Sequence, residues 1–165
     1  MVKGQEESVE ALCNAVKSYY AEADVGLIRR AYEFANKAHE GQSRSSGDPY
    51  IIHPAQVALI LTQMRMDLAS VVTGLLHDTV EDTPATLDDV RREFGEDVAQ
   101  LVDGVTKLSK ITFRTTEEKQ AENFRKMIIA MAKDIRVILV KLADRLNNMR
   151  TLEHLPAHKQ RAIAQ

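Results

Sequence analysis

The chain has 165 residues, with 22 basic and 24 acidic side chains and a formal net charge of -2. A chain of this length forms one domain, buries roughly 70% of its extended surface and so has a core of its own. The nearly balanced charge argues against broad electrostatic binding to nucleic acid or to an anionic membrane. Any anionic ligand must therefore be held locally.

The cellular location is predicted from the cysteine count and from the first residues. The single cysteine, Cys13, cannot form an internal disulfide. Residues 1–7 are acidic and lack the basic and apolar regions of a secretory signal, and the apolar runs are far shorter than the about 20 residues of a membrane span. We therefore expect a cytoplasmic protein that binds neither nucleic acid nor a membrane.

Helical spacing dominates the chain and period-2 alternation is almost absent, so the sequence predicts an all-α bundle of six or more helices. The predicted helices are 6–21, 26–39, 54–64, one from about 68 that carries His77, a short one that opens with a capping-box pattern at 86–89 and stops at Gly95, 96–108, 117–132, 134–148 and a last one from Pro156.

Two stretches without an apolar period are predicted to be loops. The first covers residues 41–52, and the second, residues 109–118, is expected to be a mobile connection. Residues 161–165 keep a helical composition without a Gly or Pro stop signal. From this we expect the chain to be part of a longer protein.

The pair His77-Asp78 follows an apolar stripe with the spacing of one buried helix face, which runs from Leu68 to Leu76. This places an imidazole and a carboxylate at the rim of a core. An unpaired buried carboxylate is costly, whereas a divalent cation neutralises it and accepts a neutral imidazole as a second ligand. A metal site is therefore the first hypothesis. The dipeptide alone is a weak signal, because on a helix surface it would be merely solvated.

A second acidic pair, Glu81-Asp82, follows four residues later. On a continuous helix His77 would lie above Glu81, and Asp78 above Asp82, so that four polar groups line one edge. The alternative is an ordinary acidic helix end, although acidic groups are unfavourable against the C-terminal dipole.

Two further residues could complete a metal site. His53 precedes Pro54, which fixes it at the start of a helix, although a satisfied core histidine is equally compatible with that position. Asp144 is embedded in the apolar run 138–143, where a carboxylate needs a cation. Two His and two Asp form a mixed nitrogen and oxygen donor set with room for water, which suits Mn²⁺, Fe²⁺ or Zn²⁺.

Other polar groups could contact a substrate. Arg44, Ser45 and Ser46 form a basic, hydroxyl-rich loop that could stack on a base or contact phosphate, or could be merely solvated. Amide, guanidinium and hydroxyl groups follow within two turns of Asp144, although polar helix ends commonly look like this: Asn147, Asn148, Arg150 and Thr151.

Together these residues follow the order His, His-Asp, Asp, which resembles the HD phosphohydrolase superfamily. Three segments, 44–54, 75–82 and 141–151, are more closely similar to the hydrolase domain of RelA/SpoT homologues. Those are the bacterial stringent-response enzymes that make and degrade the alarmones ppGpp and pppGpp. The resemblance covers about residues 31–155.

The resemblance implies an Mn²⁺-dependent removal of the 3′-diphosphate from (p)ppGpp, which gives GDP or GTP and pyrophosphate. It implies these metal ligands: His53, His77, Asp78 and Asp144. It implies a catalytic role for Glu81 and Asp82, with Asn148 near the hydrolytic water. The implied nucleotide pocket contains Arg44, stacked on the base, and Ser45, Ser46, Asn148 and Thr151.

The chain departs from the family pattern at Asn147, where a His is common, and at Asp48, where Glu is commoner. Family members usually continue into a synthetase domain and regulatory domains, so residues 1–165 are expected to be the HD hydrolase domain of such a protein. Two alternatives stay open. One is an HD hydrolase acting on another nucleotide, such as NADPH or a deoxynucleoside triphosphate, and the other is a non-catalytic domain that binds alarmone and regulates a fused synthetase.

Overall fold

The computed structural model describes residues 3–109 and 133–154, together with the single positions 125, 128 and 160. Within them, eight α-helices are α1 Lys3–Lys17, α2 Val25–Ala38, α3 Ile52–Gln63, α4 Leu68–Leu76, α5 Thr79–Asp82, α6 Leu87–Phe94, α7 Glu96–Ser109 and α8 Ile135–Arg150. A 3₁₀ turn, Leu152–His154, follows α8. No strand occurs in these ranges beyond a single bridge between Ser43 and Pro49. The all-α prediction is confirmed.

The predicted helix starts agree with the structure where the sequence contains a capping residue. Thr86 accepts a hydrogen bond from the backbone of Asp89, whose side chain accepts one from the backbone of Thr86, so the capping box of α6 is present. The first helix ends at Lys17 instead of residue 21. Apart from the single positions 125, 128 and 160, the predicted helices 117–132 and from 156 lie outside the described residues, and so does the predicted loop 109–118 after Ser109.

Helix α4 lies at the centre of the fold and contacts α2, α3, α7 and α8. All its residues from Ser70 to Leu76 are buried, which explains why this segment is almost continuously apolar. Gly74 allows close contact with α3, because a Cβ at this position would lie 3.2 Å from the Cα of Ala58. The end of α4 is therefore held tightly against α3.

The predicted continuous helix through His77 and Glu81 is wrong. Helix α4 ends at Leu76 and α5 begins at Thr79, with His77 and Asp78 between them. Side chains take the carbonyl oxygens here: the Thr79 hydroxyl donates to Leu76 at 2.5 Å, and the His77 ring contacts the carbonyl of Gly74. Such local side-chain bonds compete with the helical backbone pattern.

The bundle brings three distant segments to one end of α4: the first turn of α3, the α4–α5 junction and the middle of α8. Among the described residues, no helix combines the length and apolarity needed to cross a bilayer.

Candidate metal and nucleotide site

Two histidines and two aspartates converge where these three segments meet. Nε2 of His53 lies 3.3 Å from Oδ1 of Asp144 and 3.5 Å from Oδ2 of Asp78. Nε2 of His77 lies 3.0 Å from Oδ1 of Asp78 and 3.8 Å from Oδ1 of Asp144. Both imidazoles therefore face the same two carboxylates.

The cluster lies inside the core, not at its rim as the sequence suggested. His77 is 0% exposed, His53 3% and Asp144 7%. One donor atom from each of these three residues lies within 4.8 Å of the others, a spacing at which they could hold a metal ion. Asp78 is half-buried and completes the group.

The tautomer of His77 is set by a backbone carbonyl. Its Nδ1 lies 2.8 Å from the carbonyl oxygen of Gly74, and since a carbonyl can only accept, Nδ1 carries the proton. In the neutral ring Nε2 then has a lone pair. Although Nε2 is close to Asp78, it is buried without a hydrogen-bond partner among the described residues. A buried nitrogen lone pair beside two carboxylates fits a bound divalent cation.

His53 has the same arrangement with a side chain as its partner. Its Nδ1 lies 2.8 Å from Oδ1 of Asn147, and Nδ2 of Asn147 donates to Oε1 of Gln56 at 2.6 Å. The sequence indicated Asn147 as a possible substrate contact and as a departure from the family pattern. Its contact with His53 spans 94 residues of sequence and could not be inferred from local spacing.

The charges in the cluster stabilise one another. Burial would lower the pKa of His53, but hydrogen bonds to Asp144 and Asp78 outweigh it and raise that pKa to about 9, so a cation that binds Nε2 must displace a proton that this ring shares with the carboxylates. Burial would raise the pKa values of Asp78 and Asp144, but the nearby histidines outweigh it and both pKa values are lowered. The carboxylates therefore stay ionised and attract a cation.

Asp144 also forms an ion pair with Lys141, which was not predicted from the sequence. Nζ of Lys141 lies 2.9 Å from Oδ2 of Asp144, while Oδ1 is the atom that faces the histidines. Residues three apart share a helix face, so this pair was visible in the sequence. One oxygen of Asp144 is thus paired with Lys141 and the other faces the cluster.

Tyr50 is a site residue that sequence reasoning missed. Its hydroxyl donates to Oδ2 of Asp78 at 2.7 Å, and its ring stacks on His39 with centroids 4.3 Å apart. Burial and the neighbouring Asp78 raise the pKa of the Tyr50 hydroxyl, which keeps it a neutral donor. His39 is buried, and its Nδ1 lies 2.9 Å from Oε1 of Gln42.

A cavity of about 460 Å³ opens beside the cluster and is bordered by His53 and Tyr50. All five residues predicted to contact the nucleotide line it: Arg44, Ser45, Ser46, Asn148 and Thr151. Its volume falls within the roughly 300–1,000 Å³ of small-molecule sites.

Asn148 connects this cavity with the histidine-aspartate cluster. Its Nδ2 donates to Oδ1 of Asp144 at 2.7 Å, and its Oδ1 accepts from Arg44 at 3.1 Å. The Arg44 guanidinium lies 5.9 Å from the centre of the Tyr50 ring. Asn148 thus links Arg44, which lines the cavity, to Asp144 in the cluster.

The acidic pair of α5 stands apart from these contacts. Glu81 is half-buried and Asp82 is exposed. Neither carboxylate forms an ion pair with the cluster, and neither lines the 460 Å³ cavity, as far as the described residues extend. Gln42 donates to the backbone carbonyl of Asp82 at 3.2 Å, which ties α5 to the loop before α3.

The described residues form helices around a cluster of two histidines and two aspartates. This fold and this cluster define the class of protein to which the chain belongs. The sequence profile described as "HD domain" matches residues 31–165. The chain belongs to the HD domain family.

Similar proteins of named activity place the chain more narrowly within this family. The chain is 56% identical over 163 residues to a GTP pyrophosphokinase of Myxococcus xanthus, covering 97% of this chain and 22% of the relative. It is 55% identical over 155 residues to the bifunctional (p)ppGpp synthase/hydrolase SpoT of Escherichia coli K12, covering 94% of this chain and 22% of the relative. The chain thus spans 22% of the length of these curated relatives.

A solved structure is also similar. It is described as a metazoan ortholog of SpoT that hydrolyzes ppGpp and plays a role in starvation responses. The sequences are 32% identical, the TM-score is 0.64, and the match covers 81% of this chain and 77% of that chain.

Proposed function

We propose that the chain is a metal-dependent hydrolase that removes the 3′-diphosphate of ppGpp and pppGpp, giving GDP or GTP and pyrophosphate, with Mn²⁺ as its cofactor. The observation that carries the proposal is the convergence of both histidines on Asp78 and Asp144 beside the nucleotide-sized cavity. The 55% identity to SpoT of Escherichia coli supports the choice of substrate.

The residues that would hold the cation are His53, His77, Asp78 and Asp144. Their mixed nitrogen and oxygen donors suit Mn²⁺. Tyr50 bonds one oxygen of Asp78 and Lys141 one oxygen of Asp144, which restricts the rotation of both carboxylates. A divalent ion bound there supplies Lewis-acid chemistry, because it lowers the pKa of water and neutralises charge on phosphoryl oxygens.

The lining of the cavity offers groups for both parts of the substrate. The planar guanidinium of Arg44 can stack on the guanine base or pair with phosphate, and the hydroxyls of Ser45, Ser46 and Thr151 can donate to phosphate oxygens. Asn148 bonds Arg44 on one side and Asp144 on the other. Substrate binding and orientation of the metal-facing carboxylate would thus depend on the same amide.

Glu81 is our candidate for the group that moves protons at the attacking water or the leaving oxygen, with Asp82 in support. Glu81 lies in α5, which starts immediately after Asp78, and is half-buried. A carboxylate without an ion pair in the described part of the chain can serve as a general acid or base.

Cleavage of ppGpp by the metal-depleted chain, measured as released pyrophosphate with and without added Mn²⁺, tests the proposal. We expect turnover only with the metal and none in Asp144→Asn, which keeps the side-chain shape but removes the charge. Asp103→Asn is the matched control, because Asp103 pairs with Lys107 on α7, away from the site.

Three results would contradict the proposal in different ways. Intact ppGpp in the presence of Mn²⁺, with release of phosphate from NADPH or a deoxynucleoside triphosphate, would indicate another nucleotide substrate. Binding of ppGpp without cleavage would indicate a regulatory binding domain. Full turnover in Asp144→Asn would place the active site elsewhere.

The wider context of the domain stays a prediction. The share of 22% that the chain covers in its curated relatives supports a hydrolase domain of a longer protein with synthetase and regulatory domains. The cytoplasmic location rests on the sequence alone.

A further inference from the structure

We propose that Asn147, oriented by Gln56, is a positioning residue that keeps a ring proton of His53 on Nδ1, so that the neutral ring presents the lone pair of Nε2 to a divalent cation. The inference rests on the proposed function in one respect only, namely that the cluster holds a cation. It concerns metal binding, so it can be tested without hydrolysis.

The two histidines of the cluster have their protons set by different kinds of acceptor. His77 faces a backbone carbonyl, that of Gly74, which can only accept. His53 faces the amide of Asn147, whose two ends have opposite hydrogen-bonding character. For His53, the position of the ring proton therefore depends on which end of the amide faces the ring.

The wrong orientation would be incompatible with metal binding. If the amide of Asn147 were turned by half a rotation, its Nδ2 would donate to Nδ1 of His53. The proton of the neutral ring would then have to sit on Nε2, pointing at Asp78 and Asp144 at 3.5 and 3.3 Å. The imidazole would hydrogen-bond these carboxylates and could not bind a cation together with them.

Gln56 favours the correct orientation. Its Oε1 accepts from Nδ2 of Asn147 at 2.6 Å, which leaves Oδ1 to face His53. His53 and Gln56 are three residues apart on α3 and share a helix face, and Asn147 enters between them from α8. Asn147 is 3% exposed and His53 is also buried, so water cannot easily replace the bond between them.

Substitutions at position 147 separate orientation from packing. Asn147→Leu keeps the approximate volume but removes the acceptor, and loss of such an outer partner typically weakens metal affinity by about 10–100-fold. Asn147→Asp keeps an acceptor whichever way it turns, so it should bind Mn²⁺ at least as tightly as the wild type. Rescue by Asp but not by Leu is a result that a purely structural role would not produce.

The measurement is isothermal titration of metal-depleted protein with Mn²⁺, with ppGpp cleavage assayed on the same samples. Thr62→Val is the matched control, because Thr62 is also buried on α3 but its hydroxyl donates to the carbonyl of Leu59 and not to a residue of the cluster. Its affinity for Mn²⁺ should equal that of the wild type. Thermal melting of each metal-depleted variant establishes that it is folded.

Equal affinities in wild type and folded Asn147→Leu would overturn the inference. If Asn147→Leu does not fold, Gln56→Met carries the test, because Gln56 is exposed and its loss should leave the fold intact. We expect weaker Mn²⁺ binding in that variant, and unchanged binding would overturn the inference. A wild-type protein that binds Mn²⁺ but leaves ppGpp intact would contradict the proposed function and not the role of Asn147.

Discussion

The imidazole of His77 donates from Nδ1 to the carbonyl oxygen of Gly74 at 2.8 Å, and Gly74 is also a point of close contact between α4 and α3. A Cβ at position 74 would lie 2.7 Å from Cδ1 of Leu61 and 3.2 Å from Cα of Ala58. The residue that orients a ring of the metal cluster is thus the residue that permits the helix contact.

Gly74→Ala should therefore destabilise the fold and weaken Mn²⁺ binding together. Overpacking of a tight core typically costs about 1–3 kcal/mol, and here backbone atoms of α3 must move. Urea denaturation measures the free energy of unfolding. Gly4→Ala in α1 is the matched control, since a Cβ there meets nothing within 4 Å and should leave stability unchanged or raised. Equal stability of Gly74→Ala and wild type would contradict the close packing.

Glu81→Ala tests the proton-transfer assignment. We expect kcat to fall by about 10²-fold or more, as for loss of a general acid or base, while Mn²⁺ binding persists. Persistence is expected because Glu81 forms no ion pair with the cluster within the described residues. Steady-state kinetics and a metal titration on the same sample separate the two effects. Full turnover in this variant would show that Glu81 takes no part in the mechanism. Loss of Mn²⁺ binding would show that Glu81 is a metal ligand.

Arg44→Ala separates substrate binding from chemistry. Loss of stacking on a base is typically worth about 1–3 kcal/mol, so KM should rise by roughly one to two orders of magnitude, more than kcat falls. Arg29→Ala is a suitable control, because Arg29 pairs with Glu10 on α1 and lies outside the cavity lining. A defect confined to kcat would contradict the stacking role and point to stabilisation of charge during the reaction.

The positions of the helices and the residue types of the metal site could be predicted from the sequence, because both depend on local patterns. Apolar spacing predicted α3, α4 and α8, and the cost of burying Asp144 indicated a cationic partner. The break after Leu76 was not accessible in this way. It depends on the Thr79 hydroxyl and the His77 ring taking backbone carbonyls, which periodicity does not describe.

The surroundings of the metal cluster depend on contacts between residues far apart in the chain. Tyr50 reaches Asp78 across 28 residues, and Asn147 reaches His53 across 94. Nothing in the local sequence of either partner specifies such a pair, since each side chain is equally compatible with a solvated loop or a polar helix end. Lys141 differs, because its pairing with Asp144 follows from helical spacing alone.

Arg136 joins three helices at the end of α4 opposite to the metal cluster. Its guanidinium donates to Asp134, Asp97 and Asp67 at 2.7 Å each. Asp134 caps α8 and Asp67 caps α4. Hydrogen bonds from Arg136 lower the pKa of Asp134; at Asp67, burial alone would raise the pKa, but bonds from Ser70 and Arg136 outweigh it and lower it.

Arg136→Met should lower stability in a way that depends on pH. Because the folded-state pKa values of Asp134 and Asp67 are depressed, their stabilising contribution is present above the unfolded value of about 3.9 and is lost as pH falls through the folded values. Partly exposed pairs contribute roughly 0.2–1 kcal/mol each, so the deficit at pH 7 should be about 1–2 kcal/mol. This stability deficit should shrink towards zero in acid, at a pH below the folded-state pKa values.

Arg92→Met is the control, because it removes the ion pairs of Arg92 with Asp89 and Glu93 within α6. It should show a smaller deficit in urea unfolding at pH 7. A stability deficit for Arg136→Met that is the same at pH 7 and in acid would show that packing of the long side chain, and not its charge, holds the three helices together.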